Sequence, residues 1–226
     1  MKTVDLFKIA VLPILFFSAC ESENSSFVTQ DRIYTRYTLT YETRSDQTTA
    51  RARFRFGNIY GTLLELEAPS SISLNDEALS FKPLFSYYEK IIPGKVAEGT
   101  FSWITLDSVE LLNTITLDEI GFPDDFTEIS RDSSYTLKWV GNPLEQYEYV
   151  TLTLSGDFED ESATIYVSEV GRTWLTIPMA KLQNLPADQV SKFRLEFGNS
   201  PPLSQSTSSG GLIIGKYRVS KDIMIR

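Results

Sequence analysis

Apolar and polar residues alternate with a period of two along most of the chain from residue 32 onward. "RIYTRYTLTYET" places Ile33, Thr35, Tyr37, Leu39 and Tyr41 on one face. "ARARFRFG" sets Ala52, Phe54 and Phe56 against Arg51, Arg53 and Arg55, and "TLLELEAP" alternates Leu64 and Leu66 with Glu65 and Glu67. Successive strand residues point to opposite faces, so this pattern predicts β-strands buried on one side only. No segment sustains a helical period. The nearest, "PMAKLQNLPADQV", is broken at Pro186, which lacks the N–H a helix interior needs.

The pattern also echoes itself. "RYTLTY" at 36–41 returns as "SYTLKW" at 134–139, and each is followed by a second strand ending in glycine, "ARARFRFG" and "EYVTLTLSG". The offset is roughly 100 residues, the length of one immunoglobulin-sized sandwich. Between the copies lies "LDEIGFPDDFTEISRDSS", acidic and interrupted by Pro123. The expectation is an all-β fold of two tandem immunoglobulin-like antiparallel β-sandwiches, at 31–120 and 128–226, joined by a linker at 121–127. One larger β-sandwich is the alternative.

The N-terminus follows different rules. Lys2 and Lys8 precede the apolar run "IAVLPILFF", which ends in Ser18, Ala19 and Cys20. The run is far short of the roughly 20 residues a membrane-spanning helix requires, and it reads as an export signal over residues 1–19. "FSAC" resembles the lipobox of bacterial lipoproteins, with Phe17 where that family prefers leucine. The resemblance implies cleavage between Ala19 and Cys20, acyl chains on Cys20, and a membrane as partner through those chains. "ESENSS" follows, and residues 20–30 are expected as a flexible tether. Glu21 and Glu23 resemble the acidic surface-export signal of Bacteroidota lipoproteins, which implies an outer-membrane lipoprotein facing the cell surface or the periplasm.

The second half resembles a β-sandwich module of exported bacterial lipoproteins and surface proteins. The resemblance rests on "SYTLKWVGNPLEQYEYVTLTLSGD" and "TWLTIPMAKLQNLPADQVSKFRLEFG". It implies a fold and little chemistry.

Composition narrows the function. The chain has 226 residues, a formal charge of −9, no histidine and one cysteine. The charge disfavours nucleic acid, whose phosphates it repels. Without histidine, Ser-His-Asp and Cys-His catalysis cannot operate within the chain, nor can histidine-ligated metal sites form. A single cysteine excludes an internal disulfide or thiolate cluster. No cofactor or metal is expected, and the protein reads as a non-enzyme.

The candidate binding residues are therefore surface groups. Arg51, Arg53 and Arg55 are about 7 Å apart along one strand face, spaced to grip an anionic glycan or phosphate-bearing lipid; alternatively they pair with Glu42, Glu65 or Glu67. Trp174, Tyr87 and Tyr88 are candidate exposed aromatics, able to stack on sugars or anchor a protein. Trp103 and Trp139 are placed in the core. The loop "NSPPLSQSTSSGG" at 199–211 is expected either to carry recognition or to hang free. The function expected is a lipid-anchored envelope protein acting as a non-catalytic binding or adhesion module, with a polysaccharide as candidate ligand. A structural accessory subunit bound to an envelope protein is the second reading. A glycoside hydrolase built on two carboxylates is the third.

Overall fold

A computed structural model describes residues 22–155 and 163–226, and there the alternating segments fold as strands. Ala19 and Cys20, within residues 1–21, and residues 156–162 lie outside the described residues. The first half supplies β1 (Glu23–Asn24), β2 (Ile33–Glu42), β3 (Gln47–Phe56), β4 (Leu63–Glu65), β5 (Ser71–Leu74), β6 (Glu77–Ala78), β7 (Ser80–Lys82), β8 (Tyr87–Pro93), β9 (Glu98–Ile104) and β10 (Glu110–Thr116). The second half supplies β11 (Glu128–Ile129), β12 (Tyr135–Lys138), β13 (Glu148–Ser155), β14 (Ala163–Val167), β15 (Trp174–Ile177), β16 (Val190–Asn199) and β17 (Gly211–Ile225). One short helix, Met179–Leu182, falls within the weakly helical segment before Pro186.

The fold is all-β. An eleven-stranded sheet runs β1-β4-β3-β2-β17-β16-β13-β14, with β8 also on β3, β7 on β8 and β11 on β17. It does not close into a barrel. Two smaller sheets, β10-β9-β5-β6 and β12-β15, complete the architecture. Most ladders are antiparallel, as expected. Three are parallel: β1 with β4, β11 with β17, and β17 with β2. The last of these carries the ladder from the first half of the chain into the second. Residues 121–127, expected as a linker, include Phe122 and Phe126, and both are buried in the core.

The inward faces are those the alternation indicated. Ile33, Thr35, Tyr37, Leu39 and Tyr41 of β2 point inward, as do Ala50, Ala52 and Phe54 of β3. The four-stranded sheet covers this face, with Tyr37 stacked on Phe101 at 4.9 Å and Phe54 against Trp103 at 5.0 Å. A Cβ at Gly99 would lie 2.9 Å from terminal methyl carbons of both Leu39 and Leu74, so a larger residue there would require those side chains to shift. Over the second half, Phe126 bridges Tyr135 of β12 and Phe193 of β16. Trp103 and Trp139 are both buried, as expected.

The internal echo does not recur as equivalent pairing. In the first copy β2 and β3 form a hairpin. In the second, β12 pairs with β15, while β13 lies between β14 and β16. Similar alternation produces a strand in both places, but the partner is chosen by packing. Residues 23–30, read as part of the 20–30 tether, also hold structure. β1 pairs with β4, and the 3-10 turns Ser25–Phe27 and Gln30–Arg32 lead into β2.

Candidate functional site

The outward face of β3, β2 and β17 forms an open groove of about 380 Å³. Its floor comes from the polar positions of the same alternation that builds the core. Arg36, Thr38, Thr40 and Glu42 come from β2, Thr49, Arg51 and Arg53 from β3, and Lys216 and Arg218 from β17. Tyr87 of β8 forms part of the wall.

The three arginines of β3 have different surroundings. Arg51 pairs with Glu89 at 2.7 Å, because register sets Arg51 opposite Glu89 on β8. The expected partners Glu42, Glu65 and Glu67 are not used. Arg55 donates to the Gly61 carbonyl at 2.7 Å. Arg53 donates only a long hydrogen bond, 3.3 Å, to the Phe85 carbonyl. Arg36 stands directly opposite Arg53 across the β2–β3 ladder. Among the described residues, no carboxylate is within ion-pair distance of Arg36, Arg53 or Arg55. Burial, then the guanidiniums of Arg55 and Arg36, push the Arg53 pKa below the usual arginine range.

Across the groove the charges are balanced. Glu196 of β16 is nearly buried and takes Lys216 at 2.9 Å and Arg218 at 2.5 Å. Burial raises its pKa, but the hydrogen bond from Lys216 and the charge of Arg218 outweigh that, so the net shift is downward. Glu42 contributes a buried Oε1 with no hydrogen-bond partner among the described residues. The groove therefore offers cations without a carboxylate partner among the described residues on its β2–β3 side.

Tyr87 adds an aromatic element. The guanidiniums of Arg51 and Arg53 lie 4.9 and 5.5 Å from its ring centre. Phe85 stacks against it at 5.5 Å with nearly parallel planes. Tyr88 does not belong to this surface, which corrects its placement among the exposed aromatics. It points to the opposite face of β8 and is buried against Phe54 and Phe81. Its hydroxyl accepts from Leu66 N at 2.7 Å, and burial pushes its pKa up to about 12.

Trp174 is 40% exposed on β15, in the two-stranded sheet rather than the groove. Arg172 lies 3.8 Å over its ring and pairs with Glu169. The groove thus takes in Arg51, Arg53 and Tyr87, whereas Arg55, on the same strand, is not one of its lining residues and Trp174 lies elsewhere. The alternation of β2 already marked Arg36 as outward-facing, but its position opposite Arg53 depends on hairpin register.

The 199–211 loop does not hang free. Gln205 bonds to Leu112 and Asn113, Thr207 to the Ile33 carbonyl, and Ser208 to Asp31. A second depression of about 220 Å³ is lined by Asp118, Glu119, Glu145 and Glu148. Burial, with Asp118 and Glu145 nearby, pushes the Glu148 pKa up, although Glu148 Oε2 accepts from Glu145 N at 2.7 Å. That bond makes Glu148 the clasp of its own turn. No known protein-family model matches the chain, and no curated protein is similar enough to count as a relative.

Proposed function

We propose that the protein is a lipid-anchored envelope protein, held by acyl chains on Cys20, that binds an acidic polysaccharide without catalysis in the groove over β3, β2 and β17. One observation carries the reading: Arg36 and Arg53 face each other across a ladder with no carboxylate within ion-pair distance of either among the described residues. Like charges directly opposite destabilise a sheet. Their retention in a chain of net charge −9 is accounted for by an anion that completes the site.

The surroundings favour a sugar as carrier of that anion. Guanidiniums grip carboxylate or sulfate with paired hydrogen bonds. Tyr87, a lining residue of the groove, offers an aromatic wall against which the apolar side of a pyranose can pack. An open groove along a strand face suits an extended chain better than a small molecule, which calls for an enclosed pocket. Calorimetric titration with polygalacturonate, with neutral dextran as control, tests this. The intact protein is expected to bind the polyuronate alone, and Arg53→Gln to weaken binding about tenfold or more. Equal affinity in Arg53→Gln and Arg36→Gln would remove the groove from the function.

A further inference from the structure

Large apolar side chains stand exposed at one end of the big sheet. Tyr60 is 91% exposed and Ile59 39%, both in the loop between β3 and β4. Leu84 is 85% exposed and Phe85 56%, in the turn Pro83–Phe85 between β7 and β8. Both tips lie toward the C-terminal end of β3. The first follows Phe56 directly. The second precedes β8, which runs antiparallel to β3 with Tyr88 opposite Ala52.

These tips are held outward by their backbones. In the first, Phe56 N bonds to the Thr62 carbonyl, Gly61 N to the Asn58 carbonyl, and Tyr60 N to Asn58 Oδ1. In the second, Ser86 N bonds to the Lys82 carbonyl with Ser86 in the left-handed region. A loop already fixed in this way spends no backbone ordering entropy when its side chains are covered, only their rotamer freedom.

The direction of β1 says what covers them. β1 runs parallel to β4, with Glu23 opposite Leu64. Glu23 therefore begins β1 at the end where the Tyr60 loop enters β4. Cys20 is three residues before Glu23, a reach of at most about 11 Å when fully extended. We infer that the two tips, Ile59–Tyr60 and Leu84–Phe85, seat in the interfacial layer of the bilayer that holds the acyl chains, so the protein docks on that end with its groove facing sideways. Tyrosine and phenylalanine suit that layer, where apolar groups enter about 5–10 Å. The inference rests on the proposed anchor at Cys20.

The test uses the full chain, purified from membranes and reconstituted into phosphatidylcholine vesicles with brominated acyl chains. Tyr60→Trp and Leu84→Trp place reporters on the tips. Trp103 and Trp139 are buried and Trp174 is remote on β15, so the unsubstituted protein gives the baseline. The expected result is bromolipid quenching of the added emission in both variants, with reduced quenching by aqueous iodide. Intact mass of the same preparation reads the acyl chains separately. An unacylated mass overturns the anchor and the docking with it. An acylated mass with added emission quenched by iodide rather than bromolipid overturns the docking alone. Shielding from both quenchers puts a protein over the tips and also overturns it.

Discussion

At the β16–β17 pair, Glu196 takes both Lys216 and Arg218; two ladders further along the sheet, at the β2–β3 pair, Arg36 faces Arg53 and neither has a carboxylate partner among the described residues. The two clusters line one groove on one sheet and are built from the same alternation. In the first, three charged groups complete a network that contributes to the fold. In the second, charge is left over, and the fold carries the cost of keeping it. The number of arginines on a strand face therefore says little about binding. The supply of carboxylates on neighbouring strands decides whether the row is structural or is left for a ligand.

The comparison breaks most readily at Glu196. Glu196→Gln leaves Lys216 and Arg218 facing each other, and unfolding by urea should show a loss of about 2 kcal/mol, less than for a fully buried pair because both cations are partly exposed. Acid sharpens the same point. The Glu196 pKa is lowered in the folded state, so its contribution is complete above the ordinary glutamate value of about 4.3 and is lost as pH falls through the lower folded value. The stability gap between the intact protein and Glu196→Gln should stay constant from neutral pH down to that region and then narrow by about 1 kcal/mol or more. A gap independent of pH would mean that the carboxylate charge contributes nothing.

On the other side of the groove the sign reverses. Arg36→Gln removes one of two opposed cations and should stabilise the ligand-free protein by about 0.5 kcal/mol in the same urea experiment, while weakening polyuronate binding. A destabilised Arg36→Gln would show that the pair is structural after all. The smallest effect is in salt. Raising ionic strength to 1 M shortens screening to about 3 Å, so the stability advantage of Arg36→Gln should shrink by a few tenths of a kcal/mol.

Much of this fold was legible from period alone. The faces of β2 and β3 were assigned residue by residue, and Trp103 and Trp139 were correctly placed inside. Neighbours were not legible. β4 follows β3 in sequence and suggested Glu65 and Glu67 as partners, but β8 runs beside most of β3 and supplies Glu89. Adjacent Tyr87 and Tyr88 gave no sign of which faced inward, because each is apolar enough for the core; register against Ala52 sends Tyr88 inside. The echo at 36–41 and 134–139 was a true repeat of strand pattern and not of pairing. Period fixes the face of a strand, whereas the identity of its neighbour depends on contacts far apart in sequence.

The parallel ladder between β17 and β2 has a consequence for how the molecule is made. Gly211 begins a strand that fills the place beside Thr35, and Thr207 reaches the Ile33 carbonyl across 174 residues. Until the last strand arrives, β2 has one bare edge, and the two halves share no ladder. Assembly is therefore dominated by distant contacts, which makes folding slow. A chain built this way can stay unfolded while it is synthesised from its N-terminus and close only once its last segment is present, a timing compatible with passage through a membrane before folding.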